Sequence, residues 1–322
     1  LKFTGVPELT VHTIVHGDDV DGLTCGAFLK RLTGCDVYMA NYDNLEHVLD
    51  RVTPPVKTLY ICDLNIREAL VPELMRIREF ADVNIIDHHQ MSDELMKRLR
   101  DAGISVVLDT RDCAGVLVYD VFREELGQEA ARIAAYAAIS DMFEDGPIGS
   151  QILAKIDLKF AQHEAQILTH ALSMNQTIDF KRVILDELSR YGYPHRIPGA
   201  VDLAVQCLEE MTEMKEKISA KAVSVGRLAH MRAVNEYSTG GTANLIIDTL
   251  GVDVGVSYKE NGDYVNVSLR GELGLPEHLG DISRDLGEKY GGFGGGHQRA
   301  SGVKIPKEHL EAFLADLIEI FS

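Results

Sequence analysis

The chain has no apolar run approaching the ~18 residues that a membrane-crossing helix requires, so a transmembrane segment is not expected. It also lacks any C-x-x-C pair: its five cysteines, Cys25, Cys35, Cys62, Cys113 and Cys207, are odd in number and widely spaced. That argues against a disulfide framework or a thiolate zinc site and for small core residues. Positive charge is scarce, with Lys+Arg 32 against Asp+Glu 50 and a formal charge of −18. An acidic surface repels a long polyanion, whose binding depends largely on phosphate neutralisation. No long duplex nucleic acid and no membrane are therefore expected as partners. A phosphate-bearing substrate should be short, or held at one local patch through metal ions. The bland alternative is that the acidity only keeps the chain soluble. The first seven residues lack the apolar core of a secretory signal, and an initial leucine suggests a trimmed start. Cytoplasm is the expected location.

What is present is ordinary for a globular chain: 322 residues, 45% hydrophobic and 25% charged, enough for two domains. The first part alternates apolar runs with helical patterns, the signature of an α/β fold with a largely parallel sheet. Strands are expected near 11–15, 36–40, 58–62, 83–86 and 105–108. Helices are expected over 22–33, 67–80, 92–102, 113–126 and 129–140. From Asp145 to Arg196 the pattern turns mostly helical, and the segment Gly192 to Gly199, with Pro194 and Pro198, marks the preferred domain boundary. A linker helix over 197–222 should join the first domain, 1–196, to a smaller α/β domain, 223–322. Its expected strands are 223–235, 253–259, 264–270 and 302–305, with helices near 242–250, 279–290 and 307–321. Asn261-Gly262 between two of these strands is a hairpin signal.

Chemistry concentrates where the apolar runs end. Asp87-His88-His89 closes Val83 to Ile86, and His16-Gly17-Asp18-Asp19-Val20-Asp21-Gly22 comes directly after Val11 to Val15. Asp63 ends Thr58 to Cys62, and Asp141 ends the Ala-rich stretch from Ile133 to Ser140. In open α/β sheets ligands collect beyond the carboxyl ends of strands, where three of these clusters fall. Each residue alone has a bland role: an Asp after a strand is most often a turn residue or cap, and Asp21 could cap the helix over 22–33. Together they suit a two-metal hydrolytic site. Two cations ~4 Å apart can activate a water and stabilise the oxyanions of a displacement at phosphorus. Mixed imidazole and carboxylate donors fit manganese, iron or zinc better than an all-oxygen magnesium site.

Another concentration runs from Gly291 to Gly302, Gly-Gly-Phe-Gly-Gly-Gly-His-Gln-Arg-Ala-Ser-Gly. A glycine-rich turn lets backbone N–H groups approach phosphate oxygens, and His297 adds a donor. No strand is expected before it, so it is no dinucleotide fingerprint, and it lacks the Lys-Ser/Thr of a P-loop. A plain linker is the bland alternative. Arg270, at the end of Val265 to Leu269, is either a phosphate or carboxylate clamp or an ordinary exposed arginine.

Taken together, these residues resemble the DHH phosphoesterase family over nearly the whole chain. The N-terminal half is similar to the DHH catalytic domain, with its metal motifs in family order. The C-terminal half is similar to the DHH-associated domain, whose G-G-G-H-x-x-A-[AS]-G loop is matched by Gly294 to Gly302. The resemblance implies that His16, Asp19 and Asp63 hold one metal, and that Asp21, Asp63, His88 and Asp141 hold the other, with Asp63 bridging. It implies that His89 contacts the scissile phosphate or helps protonate the leaving oxygen while Asp87 orients a histidine. Gly295, Gly296, His297 and Arg270 would bind substrate. Relatives space the first histidine and the Asp-x-Asp differently, which leaves Asp18 as a competitor of Asp19. Arg111 to Gly115, where several members have a Ser/Thr-rich turn, receives no role.

The expected activity is manganese-dependent hydrolysis of a phosphodiester in a short nucleotide: a nano-RNA, a short oligonucleotide, or a linear or cyclic dinucleotide. Two Mn2+ ions are expected, with Mg2+, Co2+ or Fe2+ as alternatives, and a homodimer is compatible with the sequence. The competing activities are a 3′,5′-bisphosphonucleotide phosphatase or exopolyphosphatase, a RecJ-like single-strand exonuclease, and a non-catalytic nucleotide-binding module.

Overall fold

The computed structural model describes residues 10–234 and 237–322. The chain divides into two compact units, the first ending at Cys207 and the second running from Leu208 to Ser322. The division falls within the helix Ala200–Lys221. Among the described residues no helix is long and apolar enough to cross a membrane.

Unit 1 begins with β1 (Thr10–His16), α1 (Val20–Thr33), β2 (Asp36–Ala40), α2 (Leu45–Asp50) and β3 (Val56–Cys62). It continues with α3 (Val71–Arg78), β4 (Asp82–Asp87), α4 (Asp93–Asp101) and β5 (Ser105–Leu108), and then turns helical. The later helices are α5 (Ala114–Val121), α6 (Arg123–Leu126), α7 (Ala130–Ser140), α8 (Gly149–Leu153), α9 (Leu158–Met174), α10 (Ile178–Ser189) and α11 (Ala200–Lys221). All five strands are parallel, in the order β2-β1-β3-β4-β5. The expected α/β class and parallel sheet are therefore present. The short helix α2 has no counterpart among the sequence expectations, because six residues carry too little periodicity to read.

Parallel strands are buried on both faces, and the alternation is visible here. Ile14, Ile61 and Ile85 join one core with Leu49, Leu74 and Leu99 from α2, α3 and α4. Their neighbours Val15, Cys62 and Ile86 join the other with residues of α1, α5 and α7. From β1 the chain passes to β2 on one side and then crosses to β3 on the other, so a crevice opens beyond the carboxyl ends where the strand order reverses. Two local features bring α1 against the end of β1. Gly22 sits so close that a Cβ there would lie 2.1 Å from the His16 carbonyl oxygen. The cap of α1 is Asp19, whose carboxylate accepts from Gly22 N at 3.0 Å. Asp21 is thus not the cap; it lies inside the first turn of α1 and is 1% exposed. All five cysteines are free and buried.

Unit 2 contains β6 (Val223–Val225), β7 (Leu228–Arg232), α12 (Thr239–Leu250), β8 (Val254–Asn261) and β9 (Tyr264–Gly271). It ends with α13 (Leu279–Lys289), β10 (Phe293–Gly296), β11 (Ala300–Pro306) and α14 (Leu310–Ile320). These strands form one mixed sheet in the order β10-β11-β9-β8-β7-β6. The segment expected as one strand over 223–235 is two, β6 and β7, folded back at Gly226 with φ 59°; position 235 lies outside the described residues. Asn261-Gly262 does form the β8–β9 hairpin, with Gly262 at φ 64°. The expected glycine-rich turn instead contains a strand, β10, paired antiparallel with β11. Val265, Val267 and Leu269 of β9 and Val303 and Ile305 of β11 bury one face of this sheet under α13 and α14. On the other face α12 packs over β8: a Cβ on Gly255 would lie 2.0 Å from the Ala243 carbonyl oxygen.

Candidate metal centre

Three adjacent parallel strands, β3 flanked by β1 and β4, end at the same edge and there deliver His16, Asp63 and Asp87-His88-His89. Helix α1 adds Asp19 and Asp21 from its N-terminal turn, and Asp141 comes directly after the last residue of α7. His16 Nδ1 lies 2.7 Å from Asp19 Oδ2 and 3.6 Å from Asp63 Oδ2. His88 Nε2 lies 3.2 Å from Asp63 Oδ1, 3.6 Å from Asp141 Oδ2 and 4.0 Å from Asp21 Oδ2. One donor group is therefore His16, Asp19 and Asp63; another is Asp21, His88 and Asp141. Asp63 faces both, one oxygen toward each histidine. Its backbone stands in the left-handed region, φ 58°, with its N–H bonded to Ile86 O at 3.2 Å. A non-glycine residue held there is uncommon and is retained only where its surroundings enforce it.

Asp18 turns the other way. Its Oδ1 accepts from Lys181 Nζ of α10 at 2.6 Å, and its carbonyl accepts from Gln176 Nε2. Of the two competing residues, Asp19 is the one grouped with His16 and Asp63. Asp87 is 1% exposed, and its Oδ1 accepts from the backbone N–H of His88 and of His89. The same oxygen lies 2.8 Å from His89 Nδ1. That contact places the Nδ1 proton on His89 and leaves Nε2 facing the hydroxyl of Tyr42.

The electrostatics of this cluster are lopsided. Asp19, Asp21, Asp63 and Asp141 surround two imidazoles, and among the described residues none of Asp21, Asp63 and Asp141 makes a Lys or Arg ion pair. Burial alone would lower His16, but Asp19 and Asp63 outweigh it and push its pKa up to about 11. Burial likewise opposes His88, which Asp63, Asp21 and Asp141 push up to about 10. Burial and then the charge of Asp63 raise Asp21 to about 7. Burial and Asp19 raise Asp63, and burial with Asp21 holds Asp141 well above its usual range. Asp63 Oδ2, Asp87 Oδ2 and Asp141 Oδ2 are buried and accept no hydrogen bond. Leaving a buried acceptor unmade is costly, and a surplus of buried carboxylates calls for a cation. The donor set fits divalent metal on both counts. A cavity of about 180 Å³ opens beside Asp19, Asp21 and Asp141, walled by Ser140, Thr169, Leu172 and Gln176.

Two features of this centre escape sequence reasoning. Asp21 Oδ2 and Oδ1 accept from Ala114 N at 2.9 Å and Gly115 N at 2.7 Å, the N-terminus of α5. Thus Arg111 to Gly115, without an assigned role from sequence, supplies the dipole end that fixes a carboxylate. Its Asp112 in turn accepts from Ile148 N and Gly149 N at the start of α8. The other is Tyr42, just past β2, whose hydroxyl lies 3.0 Å from His89 Nε2. The only signal for Tyr42 was its place after a strand, in Asn41-Tyr42-Asp43-Asn44.

The remaining sequence candidates lie in unit 2. Arg270 stands opposite Ala300 in the β9–β11 ladder, and Gly295 and Gly296 stand opposite Gly302 and Ser301. Gly296 adopts φ 142°, where a Cβ would lie 2.5 Å from the Ala300 carbonyl oxygen. His297 comes directly after β10, its N–H bonded to Ala300 O at 2.8 Å. Its carbonyl and that of Gln298 accept from Gly280 N and Leu279 N, so the first turn of α13 anchors the loop. The Arg270 guanidinium donates to Leu269 O at 2.9 Å and meets no carboxylate among the described residues. It lies over Gly240 at the start of α12, where a Cβ would sit 2.6 Å from Nη2. Burial lowers its pKa.

Comparison with known proteins bears on both units. Residues 217–322 match the family model of the DHHA1 domain. No curated protein matches the chain. Among solved structures it is similar to a DHH-domain protein described as a member of the s1p family of ribosomal proteins. That match has a TM-score of 0.71 and 20% identity, covering 96% of this chain and 86% of the other. It is similar to RecJ from Thermus thermophilus in complex with Mn2+, with a TM-score of 0.68 and 15% identity over 97% of this chain and 52% of RecJ. It is also similar to a pGpG-specific phosphodiesterase from Vibrio cholerae, with a TM-score of 0.58 and 13% identity over 97% and 98% of the two chains. Residues 217–322 are thus a DHHA1 domain, and the fold of the whole chain is similar to that of DHH-domain proteins and of RecJ.

Proposed function

We propose that the chain is a divalent-metal-dependent phosphodiesterase that hydrolyses short nucleotide substrates, with manganese as the working metal. The observation that carries this is Asp63, set between His16 and His88 at 3.6 Å and 3.2 Å with its carboxylate buried. In this reading His16, Asp19 and Asp63 hold one ion, and Asp21, Asp63, His88 and Asp141 hold the other. When bound, the ions supply water activation and charge neutralisation at phosphorus.

The chain's own groups do the rest. Asp87 fixes the His89 tautomer with the proton on Nδ1, and the Tyr42 hydroxyl meets Nε2 at the far edge of the ring. His89 can then meet a phosphoryl oxygen or return a proton to the leaving oxygen. The N–H groups of Ala114 and Gly115 keep Asp21 aimed while it carries charge. In unit 2, Arg270 offers its fork to a further substrate phosphate. The relatives point the same way: one is named a pGpG-specific phosphodiesterase, and RecJ is seen in complex with Mn2+.

The test is a substrate panel with Mn2+: 5′-phosphorylated di- to pentanucleotides, cyclic dinucleotides, a 3′,5′-bisphosphonucleotide and polyphosphate. The proposal expects turnover of the short oligonucleotides or dinucleotides, abolished by EDTA and in Asp63→Asn. Hydrolysis confined to polyphosphate or the bisphosphonucleotide would overturn the substrate class. No hydrolysis of any member, with any divalent metal, would overturn the enzyme.

A further inference from the structure

The segment 141–149, which leaves α7, serves one half of the candidate centre. Asp141 heads it. Met142 then takes φ 60°, and the Phe143 N–H returns to Ala138 O at 2.8 Å. That bond closes a helix end whose left-handed position is usually glycine; a methionine stays there only where its surroundings enforce it. Phe143 meets the His88 ring edge to face, with centroids 5.1 Å apart. One short turn therefore carries a carboxylate of the donor group Asp21, His88 and Asp141, and backs the imidazole of the same group.

The far end of this segment is pinned by Asp112, which is 0% exposed. Asp112 Oδ2 accepts from Ile148 N at 2.9 Å and Oδ1 from Gly149 N at 2.7 Å. These are N–H groups that a helix start leaves without a partner of its own. The close approach depends on glycine. A Cβ on Gly146 would lie 2.2 Å from Asp112 Oδ1, and one on Gly149 would lie 3.1 Å from it and 2.7 Å from Phe143 O. From Asp112 the chain runs directly through Cys113 into Ala114 and Gly115, whose N–H groups hold Asp21. Gly115 is as tightly set: a Cβ there would lie 2.9 Å from Asp21 Oδ1. Asp112 is thus the joint between the loop that aims Asp21 and the segment that carries Asp141 and Phe143. His16 and Asp19, of the other donor group, bond to each other and to neither stretch among the described residues.

We infer that Asp112 is a positioning residue for one of the two metal ions, the one held by Asp21, His88 and Asp141, and leaves the ion at His16 and Asp19 unaffected. This rests on the proposed function for its pair of ions and goes beyond it by making them unequal. Asp112 acts only through backbone. Without its two acceptors the N-terminus of α5 and the 141–149 turn can part, and Asp21 and Asp141 no longer converge. Altering a group that orients a metal's ligands costs about 10- to 100-fold in metal affinity.

The test is an Mn2+ titration of the full chain without substrate, with free Mn2+ followed by its electron paramagnetic resonance signal. Asp112→Asn keeps the side chain's size but turns one acceptor into a donor facing an N–H. It should weaken one ion by about 10- to 100-fold and leave the other at its wild-type affinity. Turnover should follow suit: half-maximal rate needs more Mn2+, and kcat returns at saturation. In the Asp141→Asn background, where that ion is already crippled, Asp112→Asn should change nothing further; an added loss there overturns the assignment. A merely structural role would weaken both ions alike or neither, and either result overturns the inference. Should Asp112→Asn fail to fold, Gly149→Ala crowds the same grip from its other side and is judged by the same split between the ions. Single-ion weakening in a chain that hydrolyses no nucleotide would sink the phosphodiesterase and leave this role standing. Mn2+-dependent turnover of dinucleotides, with both ions indifferent to Asp112, would do the reverse.

Discussion

The two units solve opposite electrostatic problems. At the strand ends of unit 1, carboxylates outnumber cations: Asp21, Asp63 and Asp141 crowd two histidines and leave buried oxygens unpaired. On one face of the unit 2 sheet, Arg270 of β9 and Lys304 of β11 stand with no carboxylate among their ladder partners. The first arrangement is stable only with added positive charge, and the other attracts negative charge. In the proposed function a metal ion answers the former and a substrate phosphate the latter. Net charge, −18 for the whole chain, says nothing of this division; it averages over two sites of opposite sign.

The sharpest way to break the comparison is Asp63→Asn. It should lower kcat with Mn2+ by on the order of 10³-fold, while dinucleotide binding in EDTA, read by fluorescence anisotropy, stays intact. Loss of that binding as well would mean that the two sites do not act separately. Arg270→Ala should do the converse, raising KM for a dinucleotide by about 10- to 100-fold through a lost charged contact. Mn2+ affinity, measured calorimetrically, should not change.

The units should also respond to pH in opposite directions. Without metal, folding raises the pKa of Asp21 to about 7, of His88 to about 10 and of His16 to about 11. A raised group stabilises the fold below its unfolded value and ceases to do so as pH rises through the folded one. Metal-free unit 1 should therefore lose stability as pH climbs toward 11, and Mn2+ should suppress that loss. Asp19, held low chiefly by His16 against its burial, has the opposite sign but is one group against five, since Asp63 and Asp141 are raised as well. In unit 2, Arg227 holds Glu277 low, and Lys289 holds Asp316 low. Their contribution is present above the ordinary carboxylate range and fades as pH falls. Hydrogen exchange on each unit across pH, with and without Mn2+, separates the two trends; parallel trends would refute this account.

The smallest effect is expected of Tyr42→Phe. Removing the hydroxyl 3.0 Å from His89 Nε2 should cut kcat about two- to tenfold. No change in kcat or in its pH profile would remove Tyr42 from the site.

Much of unit 1 was legible because its strands are continuous β-branched runs closed by polar residues. Ile14-Val15, Ile61-Cys62 and Ile85-Ile86 bury both faces, and the first polar residues after them stand at the sheet edge. The glycine-rich segment was harder. Phe293 to Gly296 has almost no side chains from which to read a period, and its pairing with β11 is a long-range matter. Likewise nothing local distinguishes Asp18 from Asp19; Lys181, 163 positions away, takes the former and His16 the latter.

The sequence by itself determined which side chains stand at strand ends, because the period of a strand and the polarity of the residues just after it are local properties. It determined the β8–β9 hairpin for the same reason, through Asn261-Gly262. Only the tertiary structure decided that β3 lies between β1 and β4, which puts Asp63 beside both histidines. Only it decided that the N-terminus of α5 grips Asp21, and that Arg270, Lys304 and Phe293 share one face. Strand order and register are set by contacts between residues far apart in the chain, and no local pattern encodes which distant partner arrives.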